Sequence, residues 1–320
     1  MKILKNLKQK AKQIKATIIM VEANIDERVY EACRIVLKQK LANLIVFGKE
    51  EEFDACFKTP ACKIIDIETY PKHDLAKLLF ELRQNKGMTM QKANALLKQP
   101  IYFGMMLLKS GIGDGLVAGA VYKTADVLLP ALQIIKTKQG EQLVTGSVLL
   151  VKPNCEPLLF GDVSLMENPS SEQLALIAQS NAKFMQNVVG IEPKVAMLSY
   201  STKGSAKSEI VEKVQTATKL AQRLNFGLVD GEMQIDSALD FTTAKQKGIT
   251  SAVGGHANVL IFPNLDAGNI GYKLTARLAN YQAVGPIMLN FAKPVNDLSR
   301  GSNIEEIVNT IIITKLLTTY

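Results

Sequence analysis

The stretch KVAMLSYSTKGSAKSEIVEKV, residues 194–214, runs from an apolar segment through a polar, glycine-containing turn into a helical pattern. Val195, Ala196, Met197 and Leu198 make a short unbroken apolar run, which suits a strand buried on both faces. The residues that follow predict a helix from Ser205 to Leu224. The same alternation recurs along the chain. Strand-like runs stand at TIIMVEA from Thr17, NLIVFG from Asn43, KIIDI from Lys63, GLVAGA from Gly115, NVLIFP from Asn258 and PIMLNF from Pro286. Helical patterns lie between them at Asp26 to Lys40, His73 to Arg83, Ser171 to Val189 and Gly268 to Tyr281. This order implies α/β layers around a mostly parallel sheet. In such folds ligands bind beyond the carboxyl ends of strands, where loops enter helices.

The turn in the opening stretch holds Ser201, Thr202, Lys203, Gly204 and Ser205. Hydroxyls, an ammonium and backbone N–H groups can surround an oxyanion, and glycine lets the backbone approach closely. The turn lacks the GxxxxGK[ST] spacing of a Walker motif, and a polar turn capped by Ser205 has the same composition. Both readings stay open. FPNLDAGNIGYK places Gly268, Asn269, Tyr272 and Lys273 at another strand-to-helix junction, and ELRQNKG puts Arg83 and Lys86 at the end of a helix.

A fourth junction is PVNDLSRGSNIEEIV, residues 294–308. Ser302 and Glu305 have the spacing of a capping box, and Ile304, Ile307, Val308, Ile311 and Ile312 recur at helical spacing. Ser299 and Arg300 therefore stand at a helix mouth. Unpaired N–H groups, the positive end of a dipole and a guanidinium make a seat for phosphate, although capping alone accounts for the same pattern. Together these basic, glycine-containing junctions point to a polyanionic ligand.

Composition sets the outer limits. The 320 residues, 47% of them hydrophobic, can fill two domains or one large one. The longest apolar stretches, such as Val144 to Val151, fall far short of the roughly 20 residues that span a bilayer. Six lysines within the first fifteen positions supply most of the net charge of +8, leaving +2 for the rest of the chain. Ile3, Leu4, Leu7, Ala11 and Ile14 give that segment helical periodicity, so it reads as an amphipathic helix with a solvated lysine face. It carries no interleaved aromatics of the kind that stack on nucleic-acid bases. Neither a nucleic-acid nor a membrane partner is expected. Cys33, Cys56, Cys62 and Cys155 show no CxxC spacing and no secretory signal precedes them, which predicts a reducing cytoplasm. With His73 and His256 far apart in sequence, no metal site is expected.

Read together, KVAMLSYSTKGSAKS, DGEMQID, NVLIFPNLDAGNIGYK and AKPVNDLSRGS, with Glu81 to Gly87 and VKPNCE at Val151 to Glu156, resemble the phosphate acetyltransferases (phosphotransacetylases) in collinear order. The likeness covers essentially the whole chain. It implies two α/β domains related to the isocitrate and isopropylmalate dehydrogenases, with the active site in a cleft between them. The expected domains are 1–141 together with 293–320, and 142–292. The implied reaction is acetyl-CoA plus phosphate to acetyl phosphate plus CoA, reversibly, by direct thiolate attack in a ternary complex. CoA, acetyl-CoA, acetyl phosphate and phosphate are the expected partners. CoA is a substrate, no cofactor is held permanently, and a homodimer is expected.

The resemblance also assigns residues. Ser299 and Arg300 match the Ser-Arg pair that contacts the reacting sulfur and stabilises developing charge. Glu306 falls where the family has an aspartate proposed as general base, and Arg83 matches an arginine that anchors CoA. Cys155 matches a cleft cysteine that is not needed as nucleophile. Where the family has an arginine in a TLRPA-like stretch, this chain reads VLLPA with Leu129. Lys123, with Arg83, is the expected substitute contact to a CoA phosphate. The departure leaves a phosphate butyryltransferase and an inactive acetyl-CoA sensor as alternatives. A dehydrogenase is disfavoured, because no GxGxxG follows the first strand.

Overall fold

The structure is a computed structural model that describes residues 2–320. It opens with α1 (Lys2–Gln13), which buries Leu4, Leu7 and Ala11 at helical spacing and leaves most of its lysines exposed. The following elements are β1 (Thr17–Met20), α2 (Glu27–Lys38), β2 (Asn43–Phe47), β3 (Cys62–Ile65), α3 (His73–Arg83), α4 (Met90–Leu96), α5 (Pro100–Lys109), β4 (Gly115–Ala118) and α6 (Thr124–Pro130). Next come β5 (Thr145–Val151), β6 (Leu158–Gly161), α7 (Ser171–Phe184), β7 (Lys194–Leu198), α8 (Glu209–Arg223), β8 (Leu228–Met233), α9 (Ile235–Leu239) and α10 (Phe241–Gln246). The chain ends with β9 (Val259–Ile261), α11 (Leu265–Leu278), β10 (Gln282–Leu289), β11 (Val295–Asp297) and α12 (Ile304–Leu317).

Two compact α/β units result. One takes Leu4–Gly140 with Phe291–Tyr320, here the terminal unit, and the other is built on Glu141–Asn290, the central unit. The terminal unit carries a five-stranded sheet in the order β11-β4-β1-β2-β3, parallel throughout. Its middle strands are apolar along their length because helices cover both faces. The helix α12 buries eleven of its fourteen residues, including Lys315, whose ammonium donates to the Leu41 carbonyl at 2.7 Å. Asn296 on β11 donates to Thr314 Oγ1 at 2.7 Å and fixes the helix to the strand that precedes it.

The central unit carries a mixed sheet in which three of the five strand pairs are parallel. Its six strands run β10-β5-β6-β9-β7-β8, and β5 pairs antiparallel with both β10 and β6. Only residues 152–157 join β5 to β6, too few for the crossover that parallel neighbours need. The run through Val144 to Val151 is thus an internal strand, buried along its whole length. The helix after β7 also starts later than the sequence suggests. Ser208, not Ser205, caps it by accepting from the Val211 N–H at 3.3 Å.

Candidate active site

Strands β11, β4 and β1 lie side by side and parallel, so the loops after them share one edge of the terminal unit's sheet. The turn after β11 presents Ser299 and Arg300 to solvent. Its shape comes from within. Ser302 N–H donates to the Ser299 carbonyl at 2.9 Å, and Gly301 N–H reaches Ser299 Oγ at 3.3 Å. Among the described residues the Arg300 guanidinium has no ion-pair partner, and it stands beside a hydroxyl at the start of a fourteen-residue helix.

The helix start corrects the sequence reading by one residue. Asn303, not Ser302, is the N-cap, and Glu306, not Glu305, completes the capping box. Glu306 N–H donates to Asn303 Oδ1 at 3.0 Å, and Asn303 N–H donates to Glu306 Oε2 at 3.1 Å. Ser302 is buried instead, and its carbonyl serves another partner. The carboxylate expected to act as base is therefore also the group that closes the helix.

That other partner is Arg28, which sequence reading passed over. Its guanidinium donates to the carbonyls of Arg300 at 2.8 Å, Ser302 at 2.9 Å and Ala120 at 3.2 Å. It also pairs with Asp26 at 2.7 Å, and Asp26 in turn caps α2. A planar fork with five donors can hold three loops at once, whereas a lysine cannot. Glu22 ties the same edge from the other side, accepting the N–H groups of Ala120, Val121 and Tyr122 at 2.8–3.0 Å. An arginine in a helix's first turn opposes the helix dipole. In a chain with only six arginines among 38 basic residues, that misplacement was the available signal.

Asp297, the last residue of β11, is buried beneath this turn, and its Oδ1 has no hydrogen-bond partner. Gly119, with φ +108°, leaves the room it needs, since a Cβ there would collide with that oxygen. Burial pushes the Asp297 carboxyl up to about 7; Thr124 opposes the rise by hydrogen bonding and the nearby Glu22 carboxylate reinforces it. A native pKa above the unfolded value of about 3.9 means the folded chain keeps a proton that the unfolded chain has released. This contribution to stability is lost as pH rises to about 7. Asp297→Asn, neutral at every pH, should thus gain roughly 2–3 kcal/mol relative to the parent between about pH 5 and pH 8. Urea unfolding at the two pH values measures it, and a gain independent of pH contradicts the assignment.

Two adjoining cavities lie in the same unit. One of about 370 Å³ is lined by Arg83, Lys86, Lys92, Met88, Tyr102 and Gln133. The other, of about 550 Å³, is lined by Tyr102, Tyr122, Asp126, Leu129, Pro100 and Pro130. Tyr102 and Leu96 belong to both, so a cationic hollow adjoins an apolar one. Lys123 lines neither cavity; Lys92, unmarked in the sequence, joins Arg83 and Lys86 instead.

The remaining candidates lie in the central unit, where much of their polarity is already engaged. Ser201 Oγ donates to Glu232 Oε1 at 2.9 Å, and Gly204 N–H donates to the same oxygen at 2.7 Å. Thr202 Oγ1 donates to Gln234, Ser205 Oγ accepts the Thr202 N–H, and Lys203 pairs with Asp230. This turn is organised around carboxylates, so an oxyanion there would meet negative charge. Gly268 is needed because a Cβ would strike the Asp162 carbonyl, and Asn269 donates to the Val163 carbonyl at 3.0 Å. Lys273 lies 5.8 Å from the centre of the Tyr272 ring. Cys155 is exposed in the β5–β6 connection near Tyr281, whose hydroxyl pKa is raised by burial and then by that thiol. No group of three or more His, Cys, Asp or Glu among the described residues could hold a metal ion.

An exposed guanidinium and hydroxyl at a helix start, on the carboxyl edge of a parallel sheet, are how α/β proteins hold oxyanions. Comparison with known proteins narrows that class. The chain matches the phosphate acetyl/butaryl transferase family over residues 2–315. It is 44% identical to a phosphate acetyltransferase of Acetivibrio thermocellus across 330 aligned residues, covering all of this chain and 99% of that one. A phosphotransacetylase structure from Streptococcus pyogenes superposes with a TM-score of 0.91 at 39% identity, over 99% of this chain and 98% of that one. A Salmonella typhimurium structure assigned as a 4-hydroxythreonine-4-phosphate dehydrogenase shares the fold at 14% identity, with a TM-score of 0.55 over 95% of this chain and all of that one. The chain belongs to the phosphate acetyl/butaryl transferase family and is an acyltransferase.

Proposed function

We propose that this chain is a phosphate acetyltransferase, interconverting acetyl-CoA plus phosphate and acetyl phosphate plus CoA. The observation that carries the reading is the 44% identity over the full chain to a relative of that activity, joined to an unpaired Arg300 guanidinium beside Ser299. In the direction of thioester synthesis the CoA sulfur forms a bond to the acetyl carbon. The bond from that carbon to the phosphate oxygen breaks, its electron pair leaves with phosphate, and the thiol proton passes to Glu306.

Thiol at about 8.5 and carboxylate at about 4.3 make that transfer uphill by roughly 6 kcal/mol. A base alone does not suffice. Arg300 stabilises the thiolate and the developing oxyanion, which lowers the cost of both steps. The Ser299 hydroxyl holds the sulfur in line. Arg83, Lys86 and Lys92 hold the CoA phosphates, and the apolar hollow beside Leu129 takes a less polar part of the same molecule. Lys92→Ala should raise KM for CoA several-fold with kcat nearly intact, an effect that shrinks at high salt. Lys123→Ala should change it less. The reverse ranking, from initial rates at low ionic strength, would return the phosphate contact to Lys123.

The four cysteines are unpaired, which fits a cytoplasmic enzyme, and no helix among the described residues is long and apolar enough to cross a membrane. The proposed assembly is a homodimer without a nucleic-acid partner. Thioester absorbance with CoA and acetyl, propionyl or butyryl phosphate tests the substrate. Acetyl should give the highest kcat/KM. A butyryl preference would make the chain a butyryltransferase, and no turnover with any of the three would make it a sensor.

A further inference from the structure

Acyl transfer at Ser299, Arg300 and Glu306 leaves Asp297 without a task, yet this buried residue stands at the joint between the two loops that shape the site. The hydroxyl of Thr124, the first residue of α6, hydrogen-bonds to its carboxyl. The Leu298 N–H beside it donates to the Ala118 carbonyl at 2.7 Å. On one side the joint leads within two residues to Ser299. On the other it leads through Thr124 to Ala125, Asp126 and Leu129, which line the apolar hollow. Asp297 thus links the turn that carries the reacting groups to the helix that walls the hollow.

The joint has donors for one carboxylate, and Glu22 takes them. Its two oxygens accept the N–H groups of Ala120, Val121 and Tyr122. Asp297 Oδ1 has no hydrogen-bond partner and packs against Gly119, where a Cβ would collide with it. A negative oxygen there would be buried, unpaired and close to a like charge, whereas a neutral acid is none of these. The other groups around β11 do not offset this. β4 has no ionisable residue, Asp126 of α6 is another acid, and Lys123 is exposed. Tyr122 has its own pKa raised by burial, then by Glu22 and Asp126. On α12, Glu305 is exposed, Glu306 accepts the Asn303 N–H and Lys315 donates to the Leu41 carbonyl. Arg28 is turned to Asp26 and the three carbonyls, and Arg300 to solvent.

We propose that Asp297 is a positioning residue for the transfer: as a carboxylic acid it holds the Ser299–Arg300 turn in register with the start of α6, and as a carboxylate it releases that register. The proposal rests on the acetyltransferase reading. Asp297 touches no substrate and acts through Ser299, Arg300 and Thr124. Burial, opposed by Thr124 and reinforced by Glu22, sets the change at about 7. The proton is held below that pH and lost as pH rises through it.

Initial rates of thioester formation from acetyl phosphate at saturating CoA, followed from about pH 6 to about pH 9, test it. A misplaced catalytic group costs roughly 10²-fold, so the parent's kcat should fall about tenfold between about pH 6 and pH 8. Asp297→Asn keeps the shape of the acid and cannot ionise. It should lose that fall and exceed the parent about tenfold at about pH 8. Thr124→Val removes a hydroxyl that favours the carboxylate, so it should move the fall to higher pH. A merely structural Asp297 would shift neither profile. An Asn variant that keeps the parent's fall, or a fall that Thr124→Val leaves in place, would overturn the positioning role alone, as would a parent whose kcat does not fall. A parent that turns over no acyl phosphate would overturn the acetyltransferase reading and this role together.

Discussion

Glu306→Gln should leave the fold intact and lower kcat by about 10²-fold or more, the loss typical of a removed general base. The capping box makes this an unusually clean substitution. The glutamine amide oxygen can still accept the Asn303 N–H that Glu306 Oε2 accepts now, so the helix start persists. Stability should therefore change by less than about 0.5 kcal/mol, while KM for CoA stays near its parent value. Glu306→Ala loses both roles and should lose about 1 kcal/mol of stability as well. A Gln variant with full turnover and an unaltered pH–rate profile would leave Glu306 as a cap and nothing more.

The second large effect belongs to Arg28, which touches the active turn only through carbonyls. Removing its side chain in Arg28→Ala frees the Arg300 and Ser302 carbonyls and unties the turn from the loop at Ala120. A misplacement of about 1 Å in a catalytic group costs roughly 10²-fold, so kcat should fall by that order. The CoA contacts proposed at Arg83, Lys86 and Lys92 do not involve Arg28, so the KM for CoA should move little. Charge-assisted hydrogen bonds lost at a half-exposed site should lower stability by about 2 kcal/mol. Arg28→Lys keeps the charge but not the fork, and should recover stability in part without recovering kcat. If Arg28→Lys is fully active, charge and not the geometry of the fork sets the turn.

The parts of this fold that sequence made legible are those in which one element fixes its own pattern. The apolar face of α1 carries a helical period that burial obeys, the run at Thr17 is an apolar stretch buried as one, and the apolar pattern from Ile304 becomes a helix buried without a break from Ile307 to Leu317. The Ser299–Arg300 junction was legible for the same reason, as a polar turn set between two apolar runs. What stayed hidden depended on partners remote in sequence. Arg28 meets Arg300 across 272 positions, and its misplacement in the first turn of α2 names no partner. Nothing local in the sequence marks the burial of Asp297 beneath the turn, which raises its pKa. Competition among caps was a local error of another kind. Ser302 and Asn303 are both good N-caps, and the choice fell to Asn303 once Arg28 had taken the Ser302 carbonyl. The turn at Ser201 to Ser205 showed phosphate-binding groups, but Glu232 and Asp230, which engage them, come from a later strand.

Exchange of radiolabelled phosphate into acetyl phosphate, with and without CoA, tests the central claim most directly. Reversible transfer between phosphate and CoA in a ternary complex predicts rapid labelling when a catalytic amount of CoA is present and none when it is absent. Label that enters without CoA would establish an acyl-enzyme and contradict direct attack. No labelling with CoA present would contradict the acetyltransferase itself.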